Sequence, residues 1–385
     1  MQIPKLRFKN FNDEWISKKL GDICQFLKGG NLSKNDLSIN GSECILYGEL
    51  YTKYKEIILK ITSKTNSTNL IFGLKNDILM PSSGETAIDI ATASCLQLDN
   101  IALGGDINIL RPYQNNGIFI SYSINGVNKH KIAKLSQGIQ VVHMYNDILK
   151  NVYINFPSLE EQTKIANFLS LIDRKIEIQE KLVENLKLYK KGLLQKIFSN
   201  NQGWKSAKLG DFLIEYNKKT TINNQYPVLT SSRKGLFLQY DYFDKQIASD
   251  NNIGYNILPC NYITYRNASD DATFYFNINN IVKYGIVSPL YPVFTTQNMN
   301  VIFLQLILNY SNDFKKYCLE EQQGGTRTSM SITKLKEFKV KYPSIEEQNR
   351  IANLFSNLDK KMDFETNRLT KLKEYKKGLL QQMFI

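Results

Sequence analysis

Two stretches of the chain share one hydrophobic rhythm. From Ile165, steps of four and three residues lead through Leu169, Ile172, Ile176, Val183, Leu186, Leu193 and Ile197. From Ile351 the same steps fall on Phe355, Leu358, Met362, Leu369, Leu372, Leu379 and Met383. This is a heptad seam without a proline, so each stretch is expected as one helix of roughly forty residues, on the order of 60 Å long. Ser158 with Glu161, and Ser344 with Glu347, have the spacing of a capping box at the two starts. Both seams are polar at the same two steps, Gln179 and Lys190 in the first and Glu365 and Lys376 in the second. Such positions fix register and partner choice at a cost in stability. Neither helix can bury its seam alone, so the two are expected to pack together as a coiled coil.

The rhythm belongs to a longer internal repeat. "FPSLEEQTKIANFLSLIDRKIEIQEKLVENLKLYKKGLLQKIF" at Phe156 to Phe198 aligns without a gap on "YPSIEEQNRIANLFSNLDKKMDFETNRLTKLKEYKKGLLQQMF" at Tyr342 to Phe384, and about half the positions are identical. The heptapeptide "YKKGLLQ" recurs unchanged at Tyr189 and Tyr375. A shorter match opens each half, "WISKKLGD" at Trp15 and "WKSAKLGD" at Trp204, and these hold the only two tryptophans. The segments before each helix hardly resemble each other. Short β-rich runs such as "VYINF" and "NYITYR" alternate there with the turn signals "KGGN", "PSSGET", "LGGD", "TSSRKG" and "QQGGTRT". Each also holds one apolar helical stretch, Ile118 to Asn125 and Val301 to Asn309. The expected class is α+β, with mixed α/β bodies at 1–155 and 200–341 and long helices at 156–199 and 342–385. Like rods with unlike bodies describe a pseudo-twofold molecule fused into one polypeptide, in which the rods meet one partner twice and the bodies meet two targets.

Composition adds a partner class. Forty-nine Lys and Arg against thirty-six Asp and Glu give a net charge of +13, which suits a polyanion such as nucleic acid. Each rod is only about two units positive, so most of the excess lies on the bodies. The longest apolar run, "VIFLQLIL", is too short for a membrane span, and the N-terminal residues lack the apolar core of a signal peptide. Five scattered cysteines without a C-x-x-C pair suggest neither a disulfide framework nor a zinc site. A cytoplasmic protein with reduced thiols is expected.

Catalytic patterns are missing. The chain has no phosphate-binding loop, no dinucleotide fingerprint, no G-x-S-x-G and no H-E-x-x-H. His130 and His143 have no nearby cysteine partners and are assigned lone surface or core roles. The serines of "PSSGET" serve a turn as well as they would a nucleophile, and Asp270 and Asp271 of "NASDDA" fit a solvated loop. What remains are polar and basic turns with aromatics close by. In the first body these are Lys28, Ser82, Ser83, Arg111, Gln137 and Gln140. In the second they are Thr230, Ser231, Ser232, Arg233, Lys234, Tyr265, Arg266, Asn267, Arg327 and Thr328. Arg, Asn, Gln and Ser can read base edges and Lys can hold phosphates, so together with the charge these residues favour double-stranded DNA.

The twin "PSLEEQTKIANFLSLID" and "PSIEEQNRIANLFSNLD" segments, the runs into "YKKGLLQ", the opening "PKLRFKNFNDEW" with "KLGD", and "TSSRKGL" with "GGTRTSM" carry a resemblance over the whole chain. The chain resembles the specificity subunit of type I restriction-modification systems, the HsdS family. The resemblance implies two target recognition domains, each reading half of a split site, with two long antiparallel helices between them as a ruler. It implies two methyltransferase subunits using S-adenosylmethionine, restriction subunits using ATP with magnesium that join through them, and no cofactor or catalysis in this chain. "LSQGIQVVHM" in the first body departs from the pattern more than "QQGGTRTSM" does. The repeated heptapeptide is the expected dock for the methyltransferase, through Tyr189, Lys190, Lys191 and Leu194 in one copy and Tyr375, Lys376, Lys377 and Leu380 in the other. Three rivals fit less well. A lone regulator needs no repeated rod surface, a methyltransferase would carry an adenine-binding "NPPF" or "DPPY", and a coiled-coil scaffold has no use for large unlike bodies.

Overall fold

The computed structural model describes residues 3–138, 141–242, 251–322 and 327–385. Four helices organise the chain: α1 Gly117–Asn125, α2 Leu159–Ser199, α3 Val301–Tyr310 and α4 Ile345–Gln382. The chain divides into two compact units, Met1–Lys181 with Thr366–Ile385, and Leu182–Glu365. Each unit therefore combines one body, the start of the long helix that follows it and the end of the other long helix.

In the first unit a five-stranded sheet runs in the order Cys24–Lys28, Ile107–Pro112, Ile78–Pro81, Ser94–Leu96 and Ile57–Ile58. A second five-stranded sheet is formed by Leu37–Ser38, Ser63–Thr65, Ser42–Ile45, Ile101–Leu103 and Phe72–Gly73. The turn signals "KGGN" and "LGGD" meet where the chain passes between these sheets. Gly30 N donates to Leu103 O at 2.9 Å, and a Cβ added at Gly29 would lie 1.8 Å from the Gly104 carbonyl oxygen. Only glycine lets two backbones approach so closely. "PSSGET" is more than a turn, because Ser83–Gly84 pairs with Val142–His143 as a two-stranded ribbon.

The second unit is built on the same frame from a different sequence. Its four-stranded sheet runs Leu213–Glu215, Val293–Thr296, Ile263–Tyr265 and Phe276–Ile278. Ala268–Ser269 pairs with Thr328–Ser329 as Ser83–Gly84 pairs with Val142–His143. The bases of the bodies also match: Ile16–Lys19 pairs with Tyr153–Phe156, and Lys205–Lys208 with Lys339–Tyr342. Just past each ribbon a buried side chain of the sheet closes on a methionine carbonyl, Asn108 on Met144 O at 2.8 Å and Tyr265 on Met330 O at 2.9 Å.

The repeated residues of the long helices join helix to body in both units. Gln162 Nε2 donates to Pro157 O while its Oε1 accepts from Asn116 N, the cap of α1, each at 3.0 Å. Gln348 does the same with Pro343 O and with Asn300 N, the cap of α3, each at 3.0 Å. The capping boxes are half formed. Ser158 Oγ and Ser344 Oγ accept from Glu161 N and Glu347 N, but the Glu161 carboxylate is taken by a two-donor contact from Arg7 at 2.8 and 2.7 Å. Glu347 turns to Arg350.

The aromatic ends of the repeat also find equivalent places. Trp15 packs edge-on against Phe119 and Phe384, and Trp204 against Phe303 and Phe198. Seam residues Ile165, Leu169, Ile172 and Ile176 of α2 share the first unit's core with Leu379 of α4 and with Met383 just past its end. Ile351, Phe355 and Leu358 share the second unit's core with Leu194, and Leu193 and Ile197 pack against it. Lys376 meets Asp173 while Lys373 meets Glu180, so the two helices run antiparallel in the first unit.

Candidate functional site

In the second unit, segments far apart in sequence converge. Thr230 to Ser232 lie on the strand Leu229–Ser232, which turns through Arg233 and Lys234 into Gly235–Leu238. Gly235, at φ +129°, makes the turn, and Asn277 Nδ2 rivets it to the sheet through Ser231 Oγ and Ser232 O. Arg266 and Asn267 follow the strand Ile263–Tyr265 and lead into the ribbon that holds Thr328. Thr230, Ser232, Arg233, Lys234 and Arg266 line one cleft of about 530 Å³, with Tyr275 and Tyr291.

Other expected residues of this body do structural work. Tyr265 is fully buried, with its ring stacked on Phe276, its hydroxyl spent on Met330 O, and burial pushing its pKa up. Thr328 and Ser231 are buried as well. Asp270 and Asp271, read as a solvated loop, do lie in one, but each meets an arginine: Arg327 Nε at 3.5 Å from Asp270, and Arg233 Nη2 at 2.7 Å from Asp271. Hydrogen bonds from Ser269 and Arg233 hold the Asp271 pKa down at about 2. These aspartates are the site residues that sequence reasoning passed over. The available signal was two carboxylates beside the arginine-bearing turns of a basic body.

In the first unit, Lys28, Ser82, Ser83 and Gln137 gather where the strands Cys24–Lys28 and Ile78–Pro81 run out. Ser82 O accepts from Met144 N at 2.9 Å, and Gln137 exchanges backbone hydrogen bonds with His143. Ser83 Oγ lies 3.1 Å from His143 Nδ1, and the imidazole stacks on Tyr145. His143 is therefore a member of this cluster, signalled by the apolar–polar alternation of "VVHMY". Both serines are buried. Arg111 does not join them. It sits toward the other end of Ile107–Pro112 and is held by both oxygens of Asp77, whose side chain is 1% exposed. Gln140 lies outside the described residues.

The two copies of "YKKGLLQ" have an inner and an outer face. Lys190 pairs with Asp359 and lies over the Tyr310 ring. Lys376 pairs with Asp173 at 2.7 Å and Glu56 at 2.9 Å and lies over the Tyr122 ring. Burial pulls the Lys376 pKa down, but Glu56 and Asp173 outweigh it and hold the ammonium charged. Leu194 is buried and Leu380 packs against its unit's core. These four therefore face inward. Tyr189 and Tyr375, at 59% and 52% exposed, face solvent with Lys191 and Lys377.

Among the described residues, no group of three or more His, Cys, Asp or Glu could hold a metal ion, and no helix is long and apolar enough to cross a membrane. Residues 12–188 and 201–374 each match the family described as type I restriction modification DNA specificity domain. The chain is 22% identical, over 96% of its length and 91% of the relative's, to the specificity subunit of the type I restriction enzyme MjaVIII from Methanocaldococcus jannaschii. A putative type I specificity subunit from Mycoplasma pneumoniae is 26% identical over 47% of this chain and 44% of the relative. The fold resembles the crystal structure of a type I restriction-modification S subunit from M. genitalium, with a TM-score of 0.65 at 19% identity over 100% of this chain and 99% of that one.

Proposed function

The chain belongs to the family of DNA specificity subunits of type I restriction-modification systems, and from that premise we propose that each of its bodies reads one half of a split duplex site. Its function is DNA-sequence recognition in such a system, and membership implies DNA and the system's methyltransferase and restriction subunits as partners. In the finer reading, residues 1–155 and 200–341 are two target recognition domains. Residues 156–199 and 342–385 set the spacer. Tyr189 with Lys191, and Tyr375 with Lys377, each help dock one of two methyltransferase subunits, and restriction subunits join through these. S-adenosylmethionine belongs in this scheme to the methyltransferase and ATP with magnesium to the restriction subunit. The complex works in the cytoplasm, with the DNA.

One observation carries the reading: two sequence-distant segments of the second body, the turn bearing Arg233 and Lys234 and the stretch opening at Arg266, share one cleft with serine and tyrosine hydroxyls. Guanidinium and ammonium groups supply phosphate affinity, and guanidinium and hydroxyl groups can meet base edges. Replacing residues 212–341 with the matching segment of a relative tests it by methylome sequencing of cells that carry the methyltransferase. One half of the methylated motif is expected to change and the other to stay. A change in both halves, or in neither, rules out one body per half-site.

A further inference from the structure

The two arginines beside the second body's cleft meet successive aspartates in different ways. Arg327 and Asp270 form a loose surface pair at 3.5 Å, with side chains 56% and 81% exposed. Asp271 is built in. Its Oδ1 accepts from Ser269 Oγ at 2.7 Å and from Thr273 N at 3.1 Å, which leaves Oδ2 to receive Arg233 Nη2 at 2.7 Å. The loop turns back toward Asp271 at Ala272, φ +52°. The other non-glycine residues at positive φ, among those described, are all asparagines, which tolerate that conformation where alanine does not. Above the pair, the Arg233 guanidinium lies 5.6 Å from the Tyr275 ring centroid.

Fold stability is a poor explanation for this arrangement. Both partners are about half exposed, and exposed ion pairs contribute little. The left-handed φ of Ala272, itself buried at 4% exposure, costs backbone energy that an arrangement kept for stability alone would avoid. What the loop achieves is orientation: a carboxylate fixed by its own segment holds one guanidinium nitrogen, while a ring supports the guanidinium plane. We infer that Asp271 is a specificity-determining residue that acts through Arg233, holding the guanidinium so that its remaining donors meet O6 and N7 of one guanine in the half-site read by this body. The negative charge of Asp271 also disfavours a phosphate at the same position, which keeps Arg233 on the base edge. This rests on the reading that the second body recognises DNA.

The test uses the full chain assembled with its methyltransferase, carrying Asp271→Ala, Asp271→Asn or Arg233→Ala. Methylation motifs and the salt dependence of binding are measured for each. Asp271→Ala and Arg233→Ala are expected to relax the same G·C position, with discrimination there falling roughly tenfold or more. The other half-site stays intact, and Asp271→Asn falls between wild type and Asp271→Ala. The salt slope of Asp271→Ala should not fall, since no phosphate contact is removed. An unchanged motif in Asp271→Ala beside a relaxed one in Arg233→Ala overturns the inference. Loss of methylation spread evenly over all sequences in Asp271→Ala overturns it too, by making the residue merely structural. An unchanged motif in both variants removes Arg233 as the reader. If replacement of residues 212–341 still alters one half-site in that case, the recognition domain stands and only this contact falls.

Discussion

Arg111 and Arg233 both meet an aspartate at 2.7 Å, and their surroundings give them opposite work. Asp77 is almost fully buried, so removing Arg111 leaves a carboxylate without water or counter-charge. Arg111→Ala is expected to cost about 3 kcal/mol, at the low end for breaking a buried pair because Arg111 is itself partly exposed. Urea denaturation should show this loss while the methylated motif stays the same. Arg233→Ala should do the reverse, with the denaturation midpoint almost unmoved and the motif relaxed. Residue type cannot separate these arginines in the sequence. The difference lies in aspartates 34 and 38 positions away whose burial only the fold decides. The same blindness put Tyr265 beside Arg266 as a candidate contact, although Tyr265 ends a strand buried throughout and Arg266, just past it, is exposed.

At the scale of elements, the long helices were the most legible part. A heptad rhythm is a local property, so the seam residues and the helix starts followed from spacing alone. The polar steps were legible as positions but not as contacts. Lys190 and Lys376 find their main partners, Asp359 and Asp173, in the other copy of the repeat, so each copy of "YKKGLLQ" is matched by the aspartate of its twin. Glu56 comes from the first body, which no periodicity could reveal. The two pairs are unequal. Lys376 neutralises two largely buried carboxylates, whereas Asp359 is about half exposed. Lys376→Met should therefore destabilise by about 3–5 kcal/mol and Lys190→Met by about 1 kcal/mol, read as separate shifts in urea denaturation. Equal costs would mean that Glu56 adds nothing.

For the whole molecule, the sequence showed that the bodies are unlike and concealed that they share a frame. Ser83 and Ala268, or His143 and Ser329, occupy matching ribbon positions with no common chemistry. Backbone pairing tolerates such divergence because the ladder uses main-chain groups, whereas base readout does not. That is why the frame constrains sequence so weakly and the recognised site cannot be read from it. The ruler reading is testable through the helices. Four residues added to α2 between Asp173 and Lys190, together with four added to α4 between Asp359 and Lys376, preserve both Lys–Asp pairs and lengthen each helix by about 6 Å. The methylated motif should keep both halves and gain a spacer about one to two base pairs longer, at 3.4 Å per pair. An unchanged spacer would mean that something other than these helices sets the distance.

The packing of Phe384 against Trp15 has a consequence for how the protein is made. The first unit needs residues 366–385 to complete it, and these are synthesised after every other residue of either unit. A ribosome adding 5–20 residues per second takes roughly 10–40 s to pass from Lys181 to Phe384. Through that interval Trp15, Phe119 and the seam of α2 from Ile165 to Ile176 have no Leu379, Met383 or Phe384 to cover them. The second unit, continuous from Leu182 to Glu365, already has all its residues before those arrive. The half of the molecule born first is thus the later of the two to close, and a chain halted at Glu365 would have a second body that is whole and a first body without its lid.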